Sequence, residues 1–201
     1  MVPCHPTGEV INYIKKKGYQ HFKDGTVKLQ ETLYECEPDG FYQFMKALKD
    51  RAMTFEWSNP NGILIIPPDI NRPIVTRSLL VDYGALTYEP VRDMELTYID
   101  ADTRATQNTS MLYRCIMNSF SDDGIAKLNM DEKMYTLGTF QRRSGVCLLK
   151  ILIRESYLDS NATSSMIRFR LSELDDYLDE IDNDITKFNK YVKVLVHHLH
   201  A

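Results

Sequence analysis

Three histidines close this 201-residue chain, His197, His198 and His200, and two of them, His197 and His200, stand one helical turn apart, a spacing at which two imidazoles can share a metal ion. No acid or thiol stands beside them at ligand spacing, so they read as exposed residues on a terminal turn. Paired carboxylates are the next candidates. Asp175-Asp176 lacks the aromatic residue that a two-metal polymerase hairpin places ahead of its acids. Asp24-Gly25 and Asp123-Gly124 lack the middle Thr or Ser of an aspartic-protease turn, and Asp182-Asn183-Asp184 lacks the central Gly and closing Glu of a calcium loop. A phosphate-binding loop, a Gly-x-Ser-x-Gly elbow and a His-Glu-x-x-His pair are all missing. With no nucleophile, base or ligand set at workable spacing, the sequence predicts no catalytic residue, metal, cofactor or small-molecule substrate.

Charge is the remaining chemical feature. Residues 1–30 carry Lys15, Lys16, Lys17, Lys23 and Lys28 against Glu9 and Asp24, a local net charge of +3. Residues 171–184 carry seven acids, Glu173, Asp175, Asp176, Asp179, Glu180, Asp182 and Asp184, with no Lys or Arg. Such a run usually marks a solvated helix face, the other reading being an electrostatic contact between subunits. Lys15, Lys16 and Lys17, with Arg142 and Arg143, are the secondary candidates for touching nucleic-acid phosphate.

The elements that would position these residues are mostly helical. In Asn161–Ile181 the apolar residues Ile167, Leu171, Leu174, Leu178 and Ile181 recur in steps of 4, 3, 4 and 3. In Asp184–His200 the stripe is Ile185, Phe188, Val192, Leu195 and Leu199, widened by Tyr191 and Val196, and the Asp184 carboxylate is placed to cap the first turn. These seven side chains form the candidate assembly face. Val146–Ile153 is apolar nearly all round and fits a buried helix or a buried strand. Ser144-Gly145 before it, and Lys150 and Arg154 four apart, favour the helix. Phe41, Phe44, Met45, Leu48, Ala52 and Phe55 share one helical face, followed by Trp57 and the Asn59-Pro60-Asn61-Gly62 stop. Further helices are expected at Glu9–Lys17, ended by Gly18, and at Thr26–Cys36, Ser78–Tyr83, Glu89–Ile99 and Asp102–Phe120. The last has Ala105, Leu112, Cys115, Ile116 and Phe120 inward. Residues 59–76 read as a loop with an apolar anchor at Ile63–Ile66, because Pro67-Pro68 forbids a central strand. Met134–Leu137 and Phe140–Arg143 read as a small β-hairpin joined by Gly138-Thr139.

The fold class is therefore mostly α, a multi-helix bundle with at most one short hairpin. It is divided into a basic lead over 1–38 and a helical region over 39–201. An apolar share of 43% excludes a wholly disordered chain. No apolar run approaches the ~20 residues of a membrane span, and the N-terminus lacks a secretory leader, so no membrane partner is expected and a cytoplasmic location is the default. Cys4, Cys36, Cys115 and Cys147 are widely spaced and read as reduced, small apolar side chains. The sequons at Asn108-Thr109-Ser110 and Asn161-Ala162-Thr163 read as chance.

The segment Leu148–Ser156, with Asp159–Thr163, Leu171–Asp175 and Asp184–Val192 after it, resembles the Gag-like region of copia-type LTR retrotransposons. Glu37–Phe44, Arg104–Asn108 and Met111–Tyr113 extend the similarity, which covers roughly residues 37–200. The resemblance implies a capsid-like helical protein that packs against copies of itself, with element RNA as a further partner. It also implies more helices past the position of Ala201, often followed by a zinc knuckle, so the chain reads as an N-terminal fragment. The alternatives are a host scaffold or adaptor with the same helical surfaces, a nucleic-acid-binding module using the basic N-terminal segment, and a small enzyme with an unrecognised site.

Overall fold

The computed structural model of the chain describes residues 9–36, 38–67, 76–82, 86–156 and 184–200, together with Leu171, Leu174, Tyr177, Leu178 and Ile181. Eight helices are described: α1 (Lys16–Thr26), α2 (Pro38–Thr54), α3 (Tyr88–Leu96), α4 (Arg104–Met117), α5 (Asp122–Asn129), α6 (Glu132–Tyr135), α7 (Gly145–Ser156) and α8 (Ile185–His200). Two antiparallel two-residue pairs complete the inventory: β1 (Ile65–Ile66) on β2 (Arg77–Ser78), and β3 (Thr136–Leu137) on β4 (Arg142–Arg143). The protein is mostly α, as its periodicity predicts. The chain divides into two compact units, Met1–Ser156 and Tyr157–Ala201.

The first unit is built around α7. Val146, Cys147, Leu148, Leu149, Ile151, Leu152 and Ile153 are all buried, Lys150 is half-buried and Arg154 reaches solvent, so the polar positions four apart do mark its single outward edge. Helices α4, α3, α6 and α5 pack around it, and α1 lies on α4. Helix α2 adds Phe41, Phe44, Met45, Leu48 and Ala52 to the core, with Trp57 buried just after its end. Phe44, Tyr34 and Phe120 form an aromatic cluster with ring centroids 5.0–5.3 Å apart. The β3–β4 hairpin is where its residues predict. Gly138 at its turn has φ +73°, and the Asp100 carboxylate accepts the backbone N–H groups of Thr139 (2.7 Å) and Phe140 (3.3 Å).

Several expectations are corrected. The helix expected at Glu9–Lys17 is displaced to Lys16–Thr26, with Gly18 buried inside it rather than ending it. The reason is a long-range claim on the backbone: Gln107 of α4 accepts from Ile11 N–H (2.8 Å) and donates to Ile11 C=O (2.7 Å), which holds residue 11 outside the helix. Thr26–Cys36 is not a helix. Leu29 N–H donates to Ser119 Oγ, Tyr34 N–H donates to the Ser119 carbonyl, and Ser121 N–H donates to the Tyr34 carbonyl, so this backbone pairs with the α4–α5 junction. The Ser78–Tyr83 helix is also absent. Ser78 pairs with Ile65, a tight turn follows through Asp82, and Tyr83 lies outside the described residues. Ile63, Leu64 and Ile66 are the buried anchor expected of the 59–76 loop, with the β1–β2 pair added to it. Helices α5 and α6 were unforeseen, although Ser121 caps α5 by accepting from Gly124 N–H and is followed by Asp122 and Asp123 in the first turn. Residue 38, the boundary read from the sequence, lies within the first unit, where α1 packs on α4.

Arg51 ties α1 to α2. Its Nη1 donates to the carbonyls of Asp24 (2.7 Å), Gly25 (3.2 Å) and Val27 (3.1 Å), the C=O groups at the end of α1. Arg51→Met keeps the aliphatic stem and removes these bonds. The expected cost is about 1–2 kcal/mol in urea unfolding, because charged hydrogen bonds to carbonyls exceed neutral ones. An unchanged unfolding midpoint would show that water replaces the guanidinium at no cost.

Candidate functional site

The residues of greatest chemical interest meet at the start of α7, and the sequence reading gives none of them a role in chemistry. Helix α3 buries Val91, Met94 and Glu95, with Tyr98 buried just after its end, and Glu95 is 0% exposed. Glu95 Oε2 accepts from Thr109 Oγ1 of α4 (2.9 Å) and from Ser144 Oγ (2.5 Å). Those two hydroxyls in turn accept the first free amides of α7. Thr109 Oγ1 takes Gly145 N–H (3.0 Å) and Val146 N–H (3.4 Å), and Ser144 Oγ takes Cys147 N–H (2.9 Å). Three N–H groups of a buried helix end are thus satisfied through two hydroxyls backed by one carboxyl. Glu95 Oε1 has no hydrogen-bond partner among the described residues. Burial pushes the Glu95 carboxyl up to about 7, against the opposing pull of the Ser144 and Thr109 hydroxyls.

A Ser, a Thr, a Cys and a Glu in contact invite a catalytic reading, but the surroundings oppose it. Ser144, Thr109 and Cys147 are all fully buried. Burial, followed by the Glu95 charge, pushes the Cys147 thiol up to about 12, which leaves it without a nucleophilic thiolate at neutral pH. The cluster caps a helix end inside the core. Its sequence signal was legible in principle, because an acid four residues after Val91 and three before Tyr98 falls on the apolar stripe of its own helix.

The surface candidates fare differently from one another. Arg143 is committed within the hairpin region: it forms an ion pair with Glu132, donates to Thr136 Oγ1 (2.9 Å) and lies over the Tyr135 ring at 5.7 Å. Arg142 lies over the Phe140 ring at 5.6 Å and donates to the Ala101 carbonyl (3.4 Å). Lys15, Lys16 and Lys17 are exposed at the start of α1, and Lys23 is exposed further along it. Among the described residues none of these four lysines forms an ion pair. The first turn of α1 has no acid, and Lys15 at its N-cap gives no side-chain cap. Positive charge at the positive end of a helix is the wrong sign for stability, by roughly 0.3–1 kcal/mol per charge. Beside the lysines Ile14 is 95% exposed and Tyr19 59% exposed.

In the second unit α8 starts as its sequence predicts. Asp184 Oδ1 accepts from Thr186 N–H (3.0 Å) and Lys187 N–H (3.1 Å), and the Lys187 bond leads in holding that carboxyl below its ordinary range. Ile185 is exposed, and Phe188, Tyr191 and Val192 are half-buried, with Tyr191 stacked on Tyr177 at 4.0 Å between centroids. The side chains of Leu195, Val196, Leu199, His197, His198 and His200 lie outside those described, as do Asp175 and Asp176.

Among the described residues no three His, Cys, Asp or Glu side chains gather as a metal site, and no helix is long and apolar enough to cross a membrane. Cys36, Cys115 and Cys147 are buried and form no disulfide among the described residues, and Asn108 is buried within α4, which closes that sequon to glycosylation. Comparison of the chain with protein-family models, with curated proteins and with solved structures gives no match.

Proposed function

We propose that this protein is structural and self-associating, packing copies of itself through helix faces in the manner its resemblance to copia-type Gag implies. The carrying observation is a contrast between its two units. The first has a dense apolar core from Tyr34 to Ile153. In the second, no described apolar side chain reaches burial. Leu171, Leu174, Tyr177, Leu178, Ile181, Phe188, Tyr191 and Val192 all stop half-way, and Ile185 is 59% exposed. A segment this short closes only a marginal core of its own, and a well-formed apolar stripe left half-covered gains by meeting another surface. Repeated weak contacts of this kind are what assembly into a closed or extended array requires.

The test replaces Ile185 and Phe188 together with Ser. Light scattering is expected to show association weakened by about tenfold or more, since each apolar side chain contributes roughly 1.5–3 kcal/mol when covered. The melting of the first unit should stay where it is. Unchanged association with a lowered melting temperature would mark the face as ordinary core and sink the reading.

A further inference from the structure

We propose that the lysine-bearing face of α1 is the docking surface for the acidic segment 171–184 of a second copy of this chain, so that copies associate head to tail. The proposal rests on the self-association reading above and gives it a pair of surfaces. Three observations carry it.

The first is the composition of the α1 face. Lys16, Tyr19 and Lys23 stand at i, i+3 and i+7, which places them on one side of the helix; Ile14 and Lys15 precede its first turn, and Lys17 stands next to Lys16, about 100° round the axis. Ile14 is 95% exposed and Tyr19 59% exposed, so the face combines apolar and cationic groups that have no use for each other in an isolated chain. The second is the sign of the charge. Three lysines at the first turn oppose the helix dipole, and no acid relieves them. Residues that break a local stability rule without an internal compensation mark a surface kept for a partner. The third is complementarity within the same sequence. Residues 171–184 supply seven carboxylates and no cation, and Leu171, Leu174, Leu178 and Ile181 recur among them at helical spacing. An acidic amphipathic segment offers carboxylates to Lys15, Lys16, Lys17 and Lys23 and an apolar edge to Ile14 and Tyr19. Like faces of two copies would repel, whereas opposite faces attract, so the contact is heterologous and propagates from copy to copy.

Two charge-reversed chains test this by sedimentation velocity: one with Lys15→Glu, Lys16→Glu and Lys17→Glu, the other with Asp175→Lys, Asp176→Lys and Asp179→Lys. The natural chain is expected to associate about tenfold more weakly when sodium chloride rises from about 0.05 M to about 0.5 M. Each reversed chain alone should lose association by about tenfold or more, and an equimolar mixture of the two should regain it, because each then meets its opposite. The lysine-reversed chain should melt no lower than the natural one, since acids suit the first turn of α1. Reversed chains that associate like the natural one would overturn the proposal while leaving self-association standing. Failure of the mixture to recover, while a single chain with both sets of changes does, would place the contact within one molecule and overturn it as well. Intact association with lost binding of a single-stranded RNA oligonucleotide would reassign the lysines to nucleic acid. A natural chain that stays monomeric at every concentration would sink both this proposal and the reading beneath it.

Discussion

Glu95→Gln is expected to raise the melting temperature at pH 8 by roughly 5–10 °C and to change it little at pH 5. The carboxyl is fully buried, its ordinary value of 4.5 is pushed up to about 7, and one of its oxygens has no partner among the described residues. The folded protein therefore holds the proton more tightly than the unfolded chain does. That contribution to stability is fully present below about pH 4.5 and is lost as the pH climbs from there to about 7, a total of roughly 3 kcal/mol at 1.36 kcal/mol per unit. Glutamine is neutral throughout and can serve the Thr109 and Ser144 hydroxyls, so the pH dependence should flatten along with the gain. Thermal melts from pH 4 to 9 on both proteins decide the matter. A Glu95→Gln protein that melts lower than the natural one at pH 8 would mean that the α7 amides, acting through the two hydroxyls, hold the carboxylate charged.

Gly145→Ala is expected to be as damaging as the first change is stabilising. Gly145 lies where α7 meets α4, and a methyl group there would stand 2.4 Å from both the Thr109 carbonyl oxygen and the Tyr113 amide nitrogen, with Leu112 Cβ at 2.8 Å. Two of those three atoms are helix backbone and cannot swing away. Separating the helices would also pull Thr109 from the Gly145 amide and open the most extensive helix contact of the first unit. Overpacking against backbone costs about 3 kcal/mol or more, and the expected result is a melting temperature lower by about 6–12 °C. A variant melting within about 2 °C of the natural protein would show that the helices slide apart at little cost.

What was legible in the sequence was whatever its own neighbours decide. The α2 stripe from Phe41 to Ala52, the all-round apolar run of α7, the Asp184 cap and the Gly138 turn are local facts, and the structure has them where spacing puts them. What was not legible was decided from far away. Ile11 is held by Gln107, 96 residues on, and Leu29 and Tyr34 are held by Ser119, so two plausible helices lost their backbone donors to distant partners. The candidate surfaces divide the same way. The lysine run and the acidic run are plain in the text, but their meaning changed once Lys15–Lys17 proved to lie at the start of a helix, where their charge has the wrong sign. Glu95 was overlooked for a different reason: a lone acid inside a helix looks like surface until the stripe it interrupts is drawn through it.

Tyr34 has a bearing on how the chain is made. Its hydroxyl donates to Ser156 Oγ at 2.9 Å across 122 positions, and Cys36 Sγ lies 3.7 Å from the same oxygen. The segment at 34–36 is thus latched to the last turn of α7, which leaves the ribosome long after it does. At about 5–20 residues per second, the interval between synthesis of the two ends is roughly 6–25 s. For that time the Tyr34 hydroxyl, whose ring stacks on Phe44, lacks its Ser156 partner. Synonymous codons that speed translation between Tyr34 and Ser156 are therefore expected to shorten the interval for which this latch stays open.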